Sequence, residues 1–321
     1  LKRLSINELQ PSLLCLECGG ELTLSASGVL VCGDCGNESI NCNSIPVLMS
    51  NTNDLFPRSA YKTETGGRGP AAQKKTLRTR IKNIVPSRSL NLARERMFGT
   101  IAKDYGQSGR VVLVVGCGNQ EAQLKKHFLD DDTVFVFCDV DKGASADIFC
   151  DAHELPFKSG SFDGIITTAV MEHVIRPDQV AEEMHRVLKD DGFIYSEIPF
   201  LQGVHEGAYD FTRYTLSGHR RLYEKFAEIE TGMVAGPGTN LNWQIVDFVR
   251  MLSQNARISS GLALIARTLF FWVKYADHIF KHNRKALDAA SCTYFYGKRQ
   301  QQACDPSDVV ARYGVSGFSH T

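Results

Sequence analysis

Between residues 111 and 298, short runs of branched and aromatic apolar residues alternate with stretches of helical periodicity, and no other feature restricts the fold as much. Residues 111–115, 134–138, 164–168 and 192–197 are suited to strands. Between the last two, Val180, Met184, Val187 and Leu188 share one helical face, and that helix is expected to end before Asp191-Gly192. Strand, helix, strand in this order predicts a largely parallel sheet covered by helices, an α/β Rossmann-like fold. Further strands are expected at 226–233 and 293–298, with a helical region carrying Ile245, Phe248, Val249 and Leu252 between them.

Residues 12–49 read differently. They are rich in Cys and Gly with short apolar runs (Val29-Leu30-Val31, Ile45-Pro46-Val47-Leu48), too little core to stand without a staple. Of ten cysteines, Cys15, Cys18, Cys32 and Cys35 form two Cys-x-x-Cys pairs beside glycines. Four soft thiolates with no open position suit a structural Zn2+; redox-active pairs are the alternative. Cys42 has no paired partner and stays outside the ligand set. The remaining thiols lie mainly in apolar segments, as in a reducing compartment, and no signal-peptide pattern opens the chain, so a cytoplasmic location is expected. With 36 basic against 36 acidic residues, overall charge does not favour a polyanion as partner.

The strand at 111–115 runs into Gly116-Cys117-Gly118, and residues 121–129 can follow as helix. Glycines there let backbone approach a ligand at the carboxyl end of a strand, but dinucleotide binding and simple tight packing fit equally well. Asp139, ending the second strand, can accept hydrogen bonds from ribose hydroxyls or merely cap a helix. Then come Cys150-Asp151-Ala152-His153-Glu154-Leu155-Pro156-Phe157, Ser161-Phe162-Asp163-Gly164-Ile165-Ile166, Met171-Glu172-His173-Val174 and Arg186-Val187-Leu188-Lys189. In order and spacing this series resembles the class I methyltransferases that use S-adenosylmethionine (SAM), specifically their type 11 group, over about residues 90–235. The resemblance implies that Gly116, Cys117 and Gly118 cradle the methionine part of SAM, that Asp139 with Val140 holds the ribose end, and that Asp151 and Ala152 meet adenine. Val114 and Gln120 depart from the residues common in that group. The cysteine region similarly resembles the zinc ribbon of tRNA-methyltransferase activator proteins, departing from it at Leu16 and at Glu38-Ser39-Ile40.

A hydroxyl acceptor must lose a proton, which favours a nearby His or carboxylate. His173 and His205 both follow strands on the expected pocket side. His205 opens the loop His205-Glu206-Gly207-Ala208-Tyr209-Asp210-Phe211-Thr212-Arg213-Tyr214, which holds the polar and aromatic groups an acceptor pocket needs. A loop held by an Asp210–Arg213 ion pair over aromatic packing fits the same residues. The loop also resembles type 11 enzymes of glycan and natural-product biosynthesis. That implies an O-methyltransferase for a small-molecule or glycan acceptor, with His205 as base, His173 as second candidate, and Tyr209, Asp210, Arg213 and Tyr214 binding the acceptor.

The expected organisation is a zinc ribbon at 1–50, a linker at 51–90, a methyltransferase domain at 91–300 with a helical insertion about 240–288, and a polar tail at 301–321. An RNA methyltransferase is the alternative, because the basic residues between Lys62 and Arg96, among them Lys74, Lys75, Arg78 and Arg80, outnumber Glu64 and Glu95. A non-catalytic SAM-fold protein that docks a partner is another. The apolar stretch 262–280 is interrupted by Arg267, Lys274 and Asp277 at helical spacings, which predicts an amphipathic helix on the domain or on a second copy in a homodimer, not a transmembrane segment.

Overall fold

In the computed structural model, which describes residues 1–62, 86–105, 109–128 and 132–313, each expected strand forms and most extend by a residue or more. In chain order the strands are β1 (Lys2–Arg3), β2 (Leu22–Leu24), β3 (Leu30–Cys32), β4 (Ile40–Cys42), β5 (Ile45–Val47), β6 (Val111–Val115), β7 (Val134–Asp139), β8 (Ile148–Phe149), β9 (Phe162–Thr168), β10 (Leu188–Pro199), β11 (Phe226–Ala235) and β12 (Cys292–Arg299). The main sheet runs β11-β12-β10-β9-β6-β7-β8-β5-β4. From β10 through β9, β6 and β7 to β8 it is parallel, while β12 lies antiparallel between β10 and β11. This is the Rossmann-like α/β sheet expected from the alternation.

The central strands read as unbroken apolar runs because both faces are covered. Leu113, Val115, Val136 and Ile165 point to one side, with Val180 and Met184 of the helix Pro177–Val187 in the same core cluster. Val112, Val114, Phe135, Phe137 and Ile166 point to the other, clustered with Met97, Phe98 and Ile101 of the helix Arg94–Tyr105. Leu188, expected to continue the first helix, turns extended (φ −76°, ψ 143°) and starts β10 at once. After β6 the helix spans Glu121–Lys125; Leu129, expected to end it, lies outside the described residues.

The N-terminal region is less separate than expected. β1 pairs with β7 through Lys2↔Val134, and β5 pairs with β8 through Val47↔Phe149, so the β4–β5 hairpin extends the main sheet. Leu13, Cys15, Leu22, Leu30 and Cys32 share one core with Leu155 and Phe157. The stretch expected to begin a linker, 51–62, is packed down: Arg58 binds Asn37 and Asn51, and the Tyr61 hydroxyl donates to the Val140 carbonyl at 2.6 Å. The basic residues Lys74, Lys75, Arg78 and Arg80 lie outside the described residues. In the expected polar tail, Pro306–Ala311 is helical and the Arg220 guanidinium donates to the Arg312 carbonyl at 2.8 Å.

Helices fill the span between β11 and β12. In the helix Pro237–Met251 the buried residues include Thr239, Asn242, Trp243 and Val246, while Phe248 and Leu252, on the expected apolar stripe, are 64% and 66% exposed. Arg88 lies 3.4 Å over the Trp243 ring, which fixes that rotation. The next segment, Ala256–Phe280, passes for a membrane span on length and composition alone. Arg267, Lys274 and Asp277 anchor it to the rest of the chain. Arg267 and Lys274 donate to the Pro86 and Ser87 carbonyls, and buried Asp277 accepts from the backbone N–H of Gly236, Gly238 and Thr239 at the start of the preceding helix.

Candidate active site

The four paired thiols converge. Each Cys-x-x-Cys closes into a tight turn, with Gly19 N–H donating to the Cys15 carbonyl at 2.8 Å and Gly36 N–H to the Cys32 carbonyl at 3.1 Å. Cys15 and Cys35 sulfurs stand 3.7 Å apart, those of Cys18 and Cys32 3.5 Å, and all four lie within 4.8 Å of one another. A tetrahedral Zn2+ with bonds of about 2.3 Å requires sulfurs about 3.8 Å apart, so the donor set fits that ion. Cys42 is buried in the core cluster on the other side of the sheet, away from this set.

At the carboxyl ends of β6, β7 and β8 the expected cofactor residues come together, at the edge where open α/β sheets take ligands. Gly116 adopts φ +64°, and a Cβ there would meet Val170 Cγ2 at 2.2 Å, so backbone rather than side chain forms this wall. Gly118 N–H and Asp141 N–H each donate to a separate Asp139 oxygen at 2.8 Å, which leaves further lone pairs for ribose hydroxyls. Burial raises the Asp139 pKa above the ordinary carboxylate value against these bonds. Asp151, expected to meet adenine, accepts from Asn53 Nδ2 at 2.8 Å and contacts His153 Nδ1 at 2.6 Å. Burial would raise its pKa, but the His153 and Asn53 bonds outweigh that and lower it. Ala152 is buried beside it. The residues present fit SAM at the glycine turn and Asp139; at Asp151 the carboxylate is already engaged by the chain itself.

Asn53, Phe56 and Tyr61 were not expected at a site, because they sit in a stretch without periodicity. The strap they form runs from Asp151 and Val140, on the cofactor side, to the Tyr209 ring, whose centroid lies 6.4 Å from that of Phe56. The two aromatics, Phe56 and Tyr61, in a stretch without periodicity are the signal that it is anchored.

On the side expected to face the acceptor the centre is Glu172, visible in the sequence only as part of a motif. Its side chain is fully buried, and neither carboxylate oxygen has a side-chain hydrogen-bond partner among the described residues. Burial pushes its pKa up to about 8, opposed by its own backbone N–H and then by the Arg213 charge. His173 Nε2 lies 3.6 Å and His205 Nε2 3.7 Å from Glu172 Oε1, and the two rings meet edge to face at 4.9 Å. His173 Nδ1 faces the Tyr209 carbonyl at 2.7 Å, so it must donate there, and Nε2 carries the lone pair. The loop that brings in His205 is tied to Glu172 itself, with Phe211 and Thr212 N–H donating to the Glu172 carbonyl.

Asp210 and Arg213 were expected to bind the acceptor, but the geometry gives them a different task. The Arg213 fork grips the nearly buried Asp210 carboxylate, and its other N–H groups reach the Gln202, Thr212 and Gly203 carbonyls. Asp210 also accepts from His205 N–H at 2.9 Å. Burial alone would raise the Asp210 pKa; Arg213 and this N–H bring it to about 2. The ion pair therefore holds the loop and aims His205. Tyr214 packs against the main core, whereas Tyr209 stands between Phe56 and Phe211 at the edge of the cluster. A cleft of about 560 Å³ lined by Phe200, Leu216, Arg220, Arg284, Lys285 and Tyr313 shares no residue with either part of the site.

Residues 113–196 match the family model described as a methyltransferase domain. "Putative methyltransferase ECU09_1500" of Encephalitozoon cuniculi (strain GB-M1) is 31% identical over 114 residues, which cover 33% of this chain and 54% of that protein. The chain thus spans about half the length of the curated relative it matches. Among solved structures, Haemonchus contortus phosphoethanolamine N-methyltransferase 2 in complex with S-adenosyl-L-methionine matches with TM-score 0.41 and 15% identity, over 64% of this chain and 53% of that one. The complex between the Haloferax volcanii Trm112 methyltransferase activator and "the putative methyltransferase" matches with TM-score 0.40 and 15% identity, over 65% of this chain and 91% of that one. The similarity to a methyltransferase domain thus lies in residues 113–196, which hold the central strands and the glycine turn.

Proposed function

We propose that this chain, with its methyltransferase domain, uses SAM to methylate a hydroxyl of a polar small molecule or glycan, with His205 taking the hydroxyl proton. SAM supplies a methyl group on a sulfonium, open to in-line displacement. The rest falls to the chain's own groups. The glycine turn and Asp139 would hold the cofactor, and the Phe56–Tyr209 contact would exclude water from the edge of the acceptor space. The observation that carries the reading is the imidazole pair over a buried carboxylate, with Glu172 and His173 after β9 and His205 on the loop after β10. His205 Nδ1 lies 3.4 Å from the Gly203 carbonyl and 3.5 Å from Asp210, an arrangement that leaves Nε2 free to accept a proton and stabilises the resulting imidazolium.

Zinc held by Cys15, Cys18, Cys32 and Cys35 is structural in this reading, since four ligands leave no open position. A cytoplasmic location belongs to the same proposal, supported by ten unpaired cysteines. So does pairing of two chains through the exposed face of the Ala256–Phe270 helix. The test is methyl transfer across sugar, small-molecule and RNA acceptors, with calorimetry of S-adenosylhomocysteine binding. His205→Ala should lower turnover by roughly 10²–10⁴-fold with cofactor affinity intact. Unchanged turnover removes His205 from the chemistry, absence of cofactor binding removes the enzyme reading, and transfer confined to RNA replaces the acceptor class.

A further inference from the structure

We propose that Glu172, His173 and His205 form a second metal site, one for a divalent first-row transition ion with open coordination positions facing the acceptor space. The three ligand atoms lie within 4.8 Å of one another, and both imidazole Nε2 atoms stand 3.6–3.7 Å from Glu172 Oε1. Bonds of about 2.0–2.2 Å to nitrogen and oxygen place neighbouring tetrahedral ligands about 3.3–3.6 Å apart, so small side-chain adjustments close the set.

Three independent features support an ion there over a simple hydrogen-bonded cluster. First, 3.6 Å is too long for a hydrogen bond, and among the described residues neither oxygen of fully buried Glu172 has a side-chain partner within hydrogen-bond reach. A buried carboxylate left in that state is costly, and a cation supplies what it lacks. Second, each imidazole is oriented through its other nitrogen, His173 by the Tyr209 carbonyl and His205 by Gly203 and Asp210, as ligating histidines are. Third, the loop carrying His205 is tied to the Glu172 backbone, so the ligands are held on one scaffold.

Two imidazoles and one carboxylate select Zn2+, Fe2+ or Co2+ over Mg2+ and Ca2+, which prefer oxygen. Three protein ligands leave room for a water or a substrate oxygen. That this oxygen is the acceptor's hydroxyl rests on the methyl-transfer reading; the ion site itself does not. Base and ligand are exclusive roles for His205: a bound ion engages its lone pair, so the proton transfer assigned to His205 belongs to the metal-free protein, and with the ion bound the hydroxyl proton leaves to solvent water.

The full chain with zinc in the cysteine site is titrated with Co2+, followed by elemental analysis and visible absorption. The expected result is one additional Co2+ per chain whose spectrum lacks thiolate charge-transfer bands. Glu172→Gln and His205→Gln should each weaken Co2+ by more than roughly a hundredfold, and Asp210→Asn by roughly 10–100-fold. Cofactor binding checks the fold of each variant, and because His205 is part exposed its variant stands in if Glu172→Gln fails to fold. Metal in the cysteine site alone, or a second Co2+ unaffected by these substitutions, overturns the proposal. A second Co2+ in a chain that binds no S-adenosylhomocysteine upholds it and removes the methyl-transfer reading instead.

Discussion

Substituting Gly116 by Ala tests whether the wall of the cofactor edge is set by backbone geometry and one neighbouring side chain. The added Cβ would sit 2.2 Å from Val170 Cγ2, well inside the ordinary 3.5–4.0 Å contact between carbons, so Val170 must rotate or the turn must shift. Overpacking of this kind costs about 1–3 kcal/mol, and holding Ala at φ +64° adds about 1–2 kcal/mol. The sum, about 2–5 kcal/mol, is a large part of the 5–15 kcal/mol typical of a folded protein. Gly118→Ala is the internal control, because its φ of +47° carries the same strain while nothing lies within 4 Å of the new Cβ. It should lose only about 1–2 kcal/mol. Urea unfolding of Gly116→Ala, Val170→Ala and the double variant closes a cycle in which the two changes should couple favourably by about 1–3 kcal/mol. If Gly116→Ala loses no more than Gly118→Ala, or costs the same with and without Val170, the steric account of the turn is wrong.

Other perturbations address the core and the zinc unit. Fully buried His219, between Thr293 and Ser196, has its pKa lowered to about 3 by burial and then by Arg220. Below about 6.5 the unfolded chain binds a proton that the folded one refuses, so stability is complete above that pH and falls as pH drops toward 3, by up to about 1.4 kcal/mol per unit. In denaturant melts from pH 7 to 4, His219→Gln should flatten that slope. Arg94→Leu strands the buried Glu197 carboxylate, leaving it the Tyr195 hydroxyl alone among the described residues; a loss of about 3–5 kcal/mol is expected in thermal or urea unfolding. Stripping metal with a thiol-compatible chelator should lower the unfolding midpoint of the whole sheet, because the cysteine unit shares a core with Leu155 and Phe157. A second, separate transition would show instead that the unit is thermodynamically independent.

What the sequence revealed was decided by how many residues a feature needs. The strands β6, β7, β9 and β10 were legible because each is apolar on both faces, and the two Cys-x-x-Cys pairs because four thiols at that spacing have few other uses. Leu188 misled because it is apolar in either state, and only the backbone switch to β10 decides which. The strap of Asn53, Phe56 and Tyr61 has no period, since each residue is held by a different partner far along the chain. Asp210 and Arg213 were visible as a charged pair, but whether they face a ligand or each other depends on a loop conformation set by carbonyls at 202, 203 and 212. Glu172 stayed hidden in a motif because its meaning lies in what is missing around it. Asp277 counted in the sequence as a charge against membrane insertion, and the fold uses it to cap a helix some forty residues upstream.

The pairing of Lys2 with Val134 and of Val47 with Phe149 bears on the order in which the protein can be made. A ribosome adds about 5–20 residues per second, so the first strand waits on the order of ten seconds for the partner about 130 residues later. During that interval the N-terminal unit must hold itself together with its hairpin edge open to other chains, and zinc on the proposed four-cysteine set would be a strong restraint on it. On the zinc reading, zinc supply during synthesis, more than in the finished protein, sets how much of this chain reaches its fold.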